Sequence, residues 1–398
     1  MLVIQPDLRI DYPIIDADAH VNEPPNLWTD RLPRKFQERA PHVEHTAGGD
    51  LWVFDAGKAR WPVGLTAVAG LSFFQIKPMG AVTYETMRPG SFDTQARLAD
   101  LDADGIYAQV LYPSVTLNGA RIYSEDRDLQ TACVRAYNEW LLDFCKGSGG
   151  RLIGQAIIPT SGLDDSVAEL EWAVKHGHRG AVISSFPSGG LEPKPEDERF
   201  WEIATRNDFP IAVHIGSFLR DRPAGGSTGK EWTGLRFCGM AALTKSGGHT
   251  LPVTCEILFS GIFARHPGLR IVLVEANIGW IPTLMEQADD MYMRYRWYTG
   301  AVEQQPEMPS QIFRRNFWAT FMVDTVGMDL RHRMNLDHIM WSSDYPHSGT
   351  DWPNSRLSIE RNFRGLPVDE VKKMLHTNCK ELYGLEVPVR VPRRQARA

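Results

Sequence analysis

The sequence predicts an α/β protein built as a (β/α)8 TIM barrel with a long insertion after its first strand. Three observations carry that expectation. Together with a first strand near the N-terminus, short apolar runs that alternate with helical patterns from Thr94 onward give about eight strands, each followed by helix. The length of 398 residues exceeds an ordinary domain but suits one α/β barrel, so residues 1–398 are expected to form a single domain. No G-x-G-x-x-G follows the first strand, which argues against an open dinucleotide-binding sheet.

The first strand is Ile14-Ile15-Asp16-Ala17-Asp18-Ala19-His20. Strand residues at i and i+2 share a face, so Asp18 and His20 are expected to point the same way. Glu23 follows in a turn closed by Pro24 and Pro25. Residues 24–92 are rich in proline and glycine and read as an insertion, a lid or a subunit contact, with a hairpin from Leu51 to Val63 turning at Asp55-Ala56-Gly57. Gln95 to Asp104 is then a helix and Ile106 to Tyr112 a strand ended by Pro113. Leu129 to Cys145 carries Val134, Tyr137, Leu141 and Leu142 on one helical face and stops at the glycines 147–150. Leu152 to Ile158 is a strand, and Leu163 to His176 a helix with an acidic start and Gly177 at its end. Strands follow at Gly180 to Ser184, Ile211 to His214, Arg270 to Glu275, Phe317 to Val323 and His338 to Ser343. Between and after them, helices are expected at Phe200 to Asn207, Leu251 to Arg265, Ile281 to Tyr295, Asn354 to Phe363 and Val368 to Leu375. The tail 387–398, with Arg390, Arg393, Arg394 and Arg397, reads as a basic, solvated or subunit-packing end.

Composition narrows the function. Hydrophobic residues at 43% and charged residues at 23% describe a soluble globular chain with a sizeable core. A net charge of −6 argues against nucleic acid or an anionic membrane as partner, which leaves a small molecule. Cys133, Cys145, Cys238, Cys255 and Cys379 are scattered, odd in number and without C-x-x-C spacing, as in a reduced, cytoplasmic protein. The first ten residues hold Asp7 and Arg9 and no apolar run, so neither a signal peptide nor a membrane span is expected.

Chemistry in such a barrel sits at the C-terminal ends of the strands. Here those ends carry Asp18 and His20, His214, Glu275, and Asp344 with His347 beyond it. Each alone is weak, because a histidine after an apolar strand is usually a satisfied core group and Ser-Asp-Tyr-Pro is an ordinary turn. Their conjunction points to a divalent cation. Mixed histidine and carboxylate ligands suit zinc, manganese or iron with positions left open for water or substrate.

The chain resembles the amidohydrolase superfamily, in its amidohydrolase-2 branch of nonoxidative decarboxylases and hydrolases. The resemblance runs through Ile14 to His20, Tyr137 to Trp140, Gly150 to Pro159, Val213 to Gly216, His266 to Arg270, Val274 to Pro282 and Trp341 to His347. It implies one ion held by Asp18, His20, His214 and Asp344. Two positions depart from the family pattern: Asp18 replaces the first histidine of the strand-one pair, and Glu275 stands where the decarboxylases often carry histidine.

Asp18 and Asp344 already balance one divalent ion, so Glu275 is a surplus carboxyl. It could stay protonated as a general acid, pair with Arg220 or His347, or join Glu23 and His347 around a second metal. A structural role, bonding the amides near Ile278, is the plain alternative. Asp344, Glu275 and His347 are the catalytic candidates. Arg220, Arg222 and Arg236, in the loop after strand five, could clamp a substrate carboxylate. Asp16 reads as a structural group, or one that supports a ligand from behind, rather than as a ligand. The leading expectation is a metal-dependent hydrolase or nonoxidative decarboxylase of a small carboxylated substrate. A dinuclear iron or iron/manganese oxygenase on the same fold is the alternative, and a partner subunit of a paralogous enzyme is the third. A homo-oligomer, or a hetero-oligomer with a paralogous chain, is expected.

Overall fold

A computed structural model of the chain describes residues 8, 10–71, 82–117, 119–218, 244 and 248–389. Its strands are β1 (Ile15–Val21), β2 (His42–Thr46), β3 (Gly49–Phe54), β4 (Ala59–Pro62), β5 (Ala108–Pro113), β6 (Leu152–Gly154), β7 (Ala156–Ile157), β8 (Ala181–Ile183), β9 (Ile211–His214), β10 (Ile271–Val274), β11 (Phe317–Phe321) and β12 (Ile339–Trp341).

Strands β1, β5 and β6 pair in parallel in that order, and β7 to β12 continue in parallel and in sequence. Only Gln155 separates β6 from β7, so one stretch pairs with β5 at its start and with β8 at its end. The ring closes between the first strand and the residues after the last. The Asp344 amide donates to the Asp18 carbonyl at 3.0 Å, and the His20 amide to the Tyr345 carbonyl at 2.6 Å. The result is the TIM-barrel type of fold that the alternation predicts.

Strands β1, β5, β9 and β10 are buried along their whole length, as continuous apolar runs between helices and barrel interior must be. The helix Arg127–Lys146 buries Leu129, Cys133, Val134, Tyr137, Leu141 and Phe144 on one side. Its first amides are met by the Asp126 side chain, which accepts from Asp128 and Leu129. The helix Thr94–Asp104 is capped the same way by Asp93, and it ends at Gly105, whose φ of 77° is the left-handed geometry of a helix stop.

The hairpin expected in the insertion is β3–β4, with the turn at Asp55–Gly57. A further strand, β2, pairs antiparallel with β3 and was not apparent in the residue pattern, since its burial is only intermediate throughout most of its length. The sheet is anchored through aromatic contacts: Trp28 meets Trp52 at 5.0 Å and Tyr123 at 5.2 Å, edge to face.

Two helices differ from expectation. The run from Leu251 to Arg265 is broken into Thr250–Leu258 and Ile262–Arg265 by Gly261, whose φ is 71°. The last helix does not stop at Leu375. It passes from Val368–Lys372 through a π turn at Lys373–Thr377 into Asn378–Leu382.

Candidate metal centre

The site begins with an irregularity in β1. Asp16 pairs with Gln109 and Ala19 with Leu111, so Ala17 and Asp18 together face the single residue Val110. This is a bulge, which re-aims side chains and frees an amide from the ladder. It also explains why strict alternation, which would put Asp16 on the face of Asp18 and His20, does not hold: the extra residue sits between them.

Four strand ends then converge. His20 Nε2 lies 3.6 Å from Asp18 Oδ1 and 3.3 Å from Asp344 Oδ1. His214 Nε2 lies 3.4 Å from Asp18 Oδ1, and His214 Nδ1 lies 3.9 Å from Glu275 Oε2. His347 Nδ1 lies 3.2 Å from Asp344 Oδ1, and its ring stacks on His20 at 3.7 Å. Among the described residues, Asp18, His20, His214 and Glu275 form one group able to hold an ion, and His20, Asp344 and His347 a second that shares His20.

The imidazoles are oriented from behind. His20 Nδ1 donates to the Pro113 carbonyl at 2.9 Å and His214 Nδ1 to the Ile215 carbonyl at 3.1 Å, which leaves each Nε2 lone pair free. Both oxygens of Asp18, His20 Nε2, His214 Nε2 and Asp344 Oδ1 are buried without a hydrogen-bond partner. So many orphaned acceptors in one place are costly unless a cation or protons satisfy them. Two imidazole nitrogens beside carboxylate oxygens fit a divalent ion of the zinc, manganese or iron kind.

The electrostatics agree. Burial holds Glu275 and Asp344 well above the usual carboxylate range, reinforced for Glu275 by Asp344 and for Asp344 by Asp18. Burial also drives His20 well below its ordinary value and His347 down to about 3. His214 goes the other way: burial opposes its charge, but Asp18 and Glu275 override it and lift it to about 9. Backbone strain marks the same two acids. Glu275 has φ 55° and Asp344 φ 57°, both left-handed, a conformation that concentrates at functional sites.

Other expected residues fall elsewhere. Glu23 is buried, but its carboxylate accepts from the Val115 amide at 3.2 and 3.3 Å and joins neither ion-holding group. Glu275 does not bond the amides near Ile278. Asp324 does, accepting from Ile278 and Gly279 at 2.7 Å each and from Gly327 at 2.8 Å. Arg220, Arg222 and Arg236 lie outside the described residues, as do Cys238 and residues 390–398 of the tail. Sequence reading missed Asp324 and the fully buried Arg97, which donates to the Gly90 and His20 carbonyls and stacks over the Tyr345 ring. The pattern Asp324-Thr325, a capping residue at a helix start, was the available signal for the first. Nothing in the helical pattern around Arg97 distinguishes it from a surface arginine.

A parallel barrel that gathers histidines and carboxylates at the C-terminal ends of its strands defines a class of metal-assisted barrel enzymes. Within that class, the amidohydrolase family model matches residues 15–385, and the chain belongs to the amidohydrolase-2 family of enzymes. The γ-resorcylate decarboxylase of Rhodococcus jostii RHA1 is 27% identical over 288 residues, 65% of this chain and 82% of that one. Among solved structures, an amidohydrolase of Mycobacterium avium subsp. paratuberculosis K-10 superposes with a TM-score of 0.72 at 19% identity, covering 95% of this chain and 100% of that one. A dihydroxybenzoic acid decarboxylase of Polaromonas sp. JS666, solved with manganese and the inhibitor 2-nitroresorcinol, gives 0.60 at 17% identity over 95% of this chain and 98% of that one. Among the described residues no helix is long and apolar enough to cross a membrane.

Proposed function

We propose that the protein is a divalent-metal-dependent nonoxidative decarboxylase of a small hydroxylated aromatic acid. The observation that carries this reading is the set of buried, unpartnered acceptors on Asp18, His20, His214 and Asp344. The γ-resorcylate decarboxylase relative and the manganese-bound dihydroxybenzoic acid decarboxylase support the substrate class and the ion.

Asp18, His20, His214 and Asp344 would hold the ion, which supplies positive charge for fixing the substrate carboxylate and for stabilising charge that develops on the ring. Glu275, held protonated by burial, donates its proton to the ring carbon that bears the carboxylate. A C–H bond forms there, the C–C bond breaks, and carbon dioxide leaves while its electron pair restores the aromatic ring. Glu275, 18% exposed, regains a proton from water. His347, with Nδ1 3.2 Å from Asp344 Oδ1 and Nε2 3.4 Å from Ser114 Oγ, stands at the edge of this group. Arg220, Arg222 and Arg236 are the proposed carboxylate clamp.

The described part of the insertion 24–92 would serve this site as a lid. Thr66 accepts from Asn22 at 2.9 Å, the Val68 and Ala69 amides donate to the Pro346 carbonyl, and the Tyr84 hydroxyl donates to the Glu23 carbonyl. Those bonds tie it to the ends of the first and last strands. A single ion is favoured over a dinuclear oxygenase centre, because the two ion-holding groups share His20 and Glu23 is engaged with Val115. Hydrolysis of an ester or amide is the second reading, favoured by a carboxyl at position 275 where the decarboxylases often carry histidine.

The test is direct. Purified protein is analysed for metal, then incubated with 2,6-dihydroxybenzoate or 5-carboxyvanillate with and without Mn2+, following carbon dioxide and the decarboxylated phenol. Metal-dependent release of carbon dioxide is expected. Full turnover after chelation, or turnover of esters and not of hydroxybenzoates, overturns the reading.

A further inference from the structure

We propose that Asp16 is a positioning residue: a buried latch across the barrel seam that sets the spacing of the acids on the first and last strands. The inference rests on the metal-site reading and extends it to a residue that touches neither ion nor substrate.

Asp16 is fully buried, and its carboxylate accepts from β1 itself, from β5 and from the segment just past β12. Oδ1 takes the Ser343 amide at 2.8 Å and the Asp18 amide at 3.3 Å. Oδ2 takes the Ser343 hydroxyl and the Gln109 side-chain amide, the latter at 2.9 Å. Ser343 Oγ in turn accepts from the Tyr345 amide at 3.2 Å.

The positions of these donors decide the argument. Ser343 immediately precedes Asp344, and the Asp18 amide lies within the bulge of the first strand. A bulge leaves an amide without its ladder partner, and a buried amide must be paired. Asp16 supplies that partner, so the same carboxylate stabilises the bulge that aims Asp18 and grips the backbone one residue before Asp344. Around it the seam has the Asp344 amide on the Asp18 carbonyl and the His20 amide on the Tyr345 carbonyl. Both acids are thereby referred to one rigid point. Gln109, on β5, keeps that point from sliding along the strand.

A residue that only stabilises the fold and a residue that sets ligand spacing give different results. The probes are Asp16→Asn, which keeps one acceptor oxygen and turns the other into a donor facing Ser343 Oγ and Gln109, and Ser343→Ala, which removes one bond and keeps the backbone. For wild type and both variants, metal-free thermal midpoint, Mn2+ dissociation constant at 20 °C and the visible spectrum of the Co2+ form are measured. Outer partners of metal ligands typically contribute about 10–100-fold in affinity. Mn2+ binding is expected to weaken roughly 10-fold or more in Asp16→Asn and by a smaller factor in Ser343→Ala, with a shifted Co2+ band. A lowered midpoint with unchanged Mn2+ affinity and spectrum in Ser343→Ala overturns the proposal, even if Asp16→Asn does not fold. Failure of the wild-type protein to bind any of these ions overturns the metal-site reading instead, and the latch falls with it.

Discussion

The amide of Asp344 donates to the carbonyl of Asp18 at 3.0 Å, so the first and last strands deliver their acids side by side at the barrel seam. Two buried carboxyls held that close repel as anions, and a cation between them relieves the repulsion. Metal binding is therefore expected to stabilise the fold. At a free ion concentration of about 100 times Kd the gain is about 2.7 kcal/mol. A chelator should lower the thermal midpoint by several degrees, and added Mn2+ should restore it. Scanning calorimetry of the two forms checks this.

Glu275 is the proposed proton donor, so Glu275→Gln keeps shape and hydrogen bonding but removes the transferable proton. Turnover should fall by roughly 10²–10⁴-fold, the usual contribution of a general acid. Metal content should remain near wild type. The variant Asp344→Asn should instead lose both turnover and bound metal. Side-by-side kinetics and metal analysis separate the roles, and equal metal loss in both variants contradicts the division.

Metal uptake should release protons. In the metal-free protein burial holds Asp344 well above the usual carboxylate range, and Asp18 and Glu275 lift His214 to about 9. A cation takes the place of those protons, so its apparent affinity rises with pH and levels off only as His214 loses its own proton near 9. Titration calorimetry in two buffers of different ionisation enthalpy measures the release. Affinity that is flat between pH 6 and 8.5 counts against these residues as ligands.

Much of this centre was legible because a barrel places function where apolar runs end in polar residues. His214 closes β9, Glu275 follows β10 and Asp344 follows β12 after two serines, each readable as the first ionisable group at the end of a buried strand. The bulge in β1 was not legible, since nothing in Asp16-Ala17-Asp18 shows that two residues will oppose Val110. The same holds for Asp324. Its partners, Ile278 and Gly279, lie more than forty residues away along the chain, and only the adjacency of β10 and β11 brings them together.

Asp324 should matter beyond its own bonds. Its carboxylate holds three amides of the loops after β10 and β11, and Asn362 holds its backbone amide at 3.0 Å. Glu275 and Asn277, both at φ 55°, stand in the loop so gripped. Asp324→Ala leaves those amides unpaired and is expected to cost about 2–4 kcal/mol of stability. A Cβ on Gly327 would come within 2.4 Å of Ile278 Cγ1, so Gly327→Ala should perturb the same loop. Urea unfolding reads the loss, and kcat should drop further than the stability change alone explains.

Glu23 tests whether a second ion draws on a carboxyl beyond the strand ends. Its carboxyl is buried against the Val115 amide, and burial lifts its pKa from 4.5 to about 8. The folded protein therefore binds this proton more tightly than the unfolded chain does. The associated stability is fully present below about 4.5 and is lost as pH rises through 8. Glu23→Gln carries no charge to bury, so it should be more stable than wild type at pH 8.5, by roughly 2–4 kcal/mol, and about equal to it at pH 4.5. If Glu23 instead ligates a second ion, the substitution lowers the metal stoichiometry from two to one and removes turnover. Denaturant melts at the two pH values, paired with metal analysis, distinguish the cases. An unchanged stoichiometry, with the stability gain confined to high pH, is expected from a Glu23 carboxyl engaged with the Val115 amide.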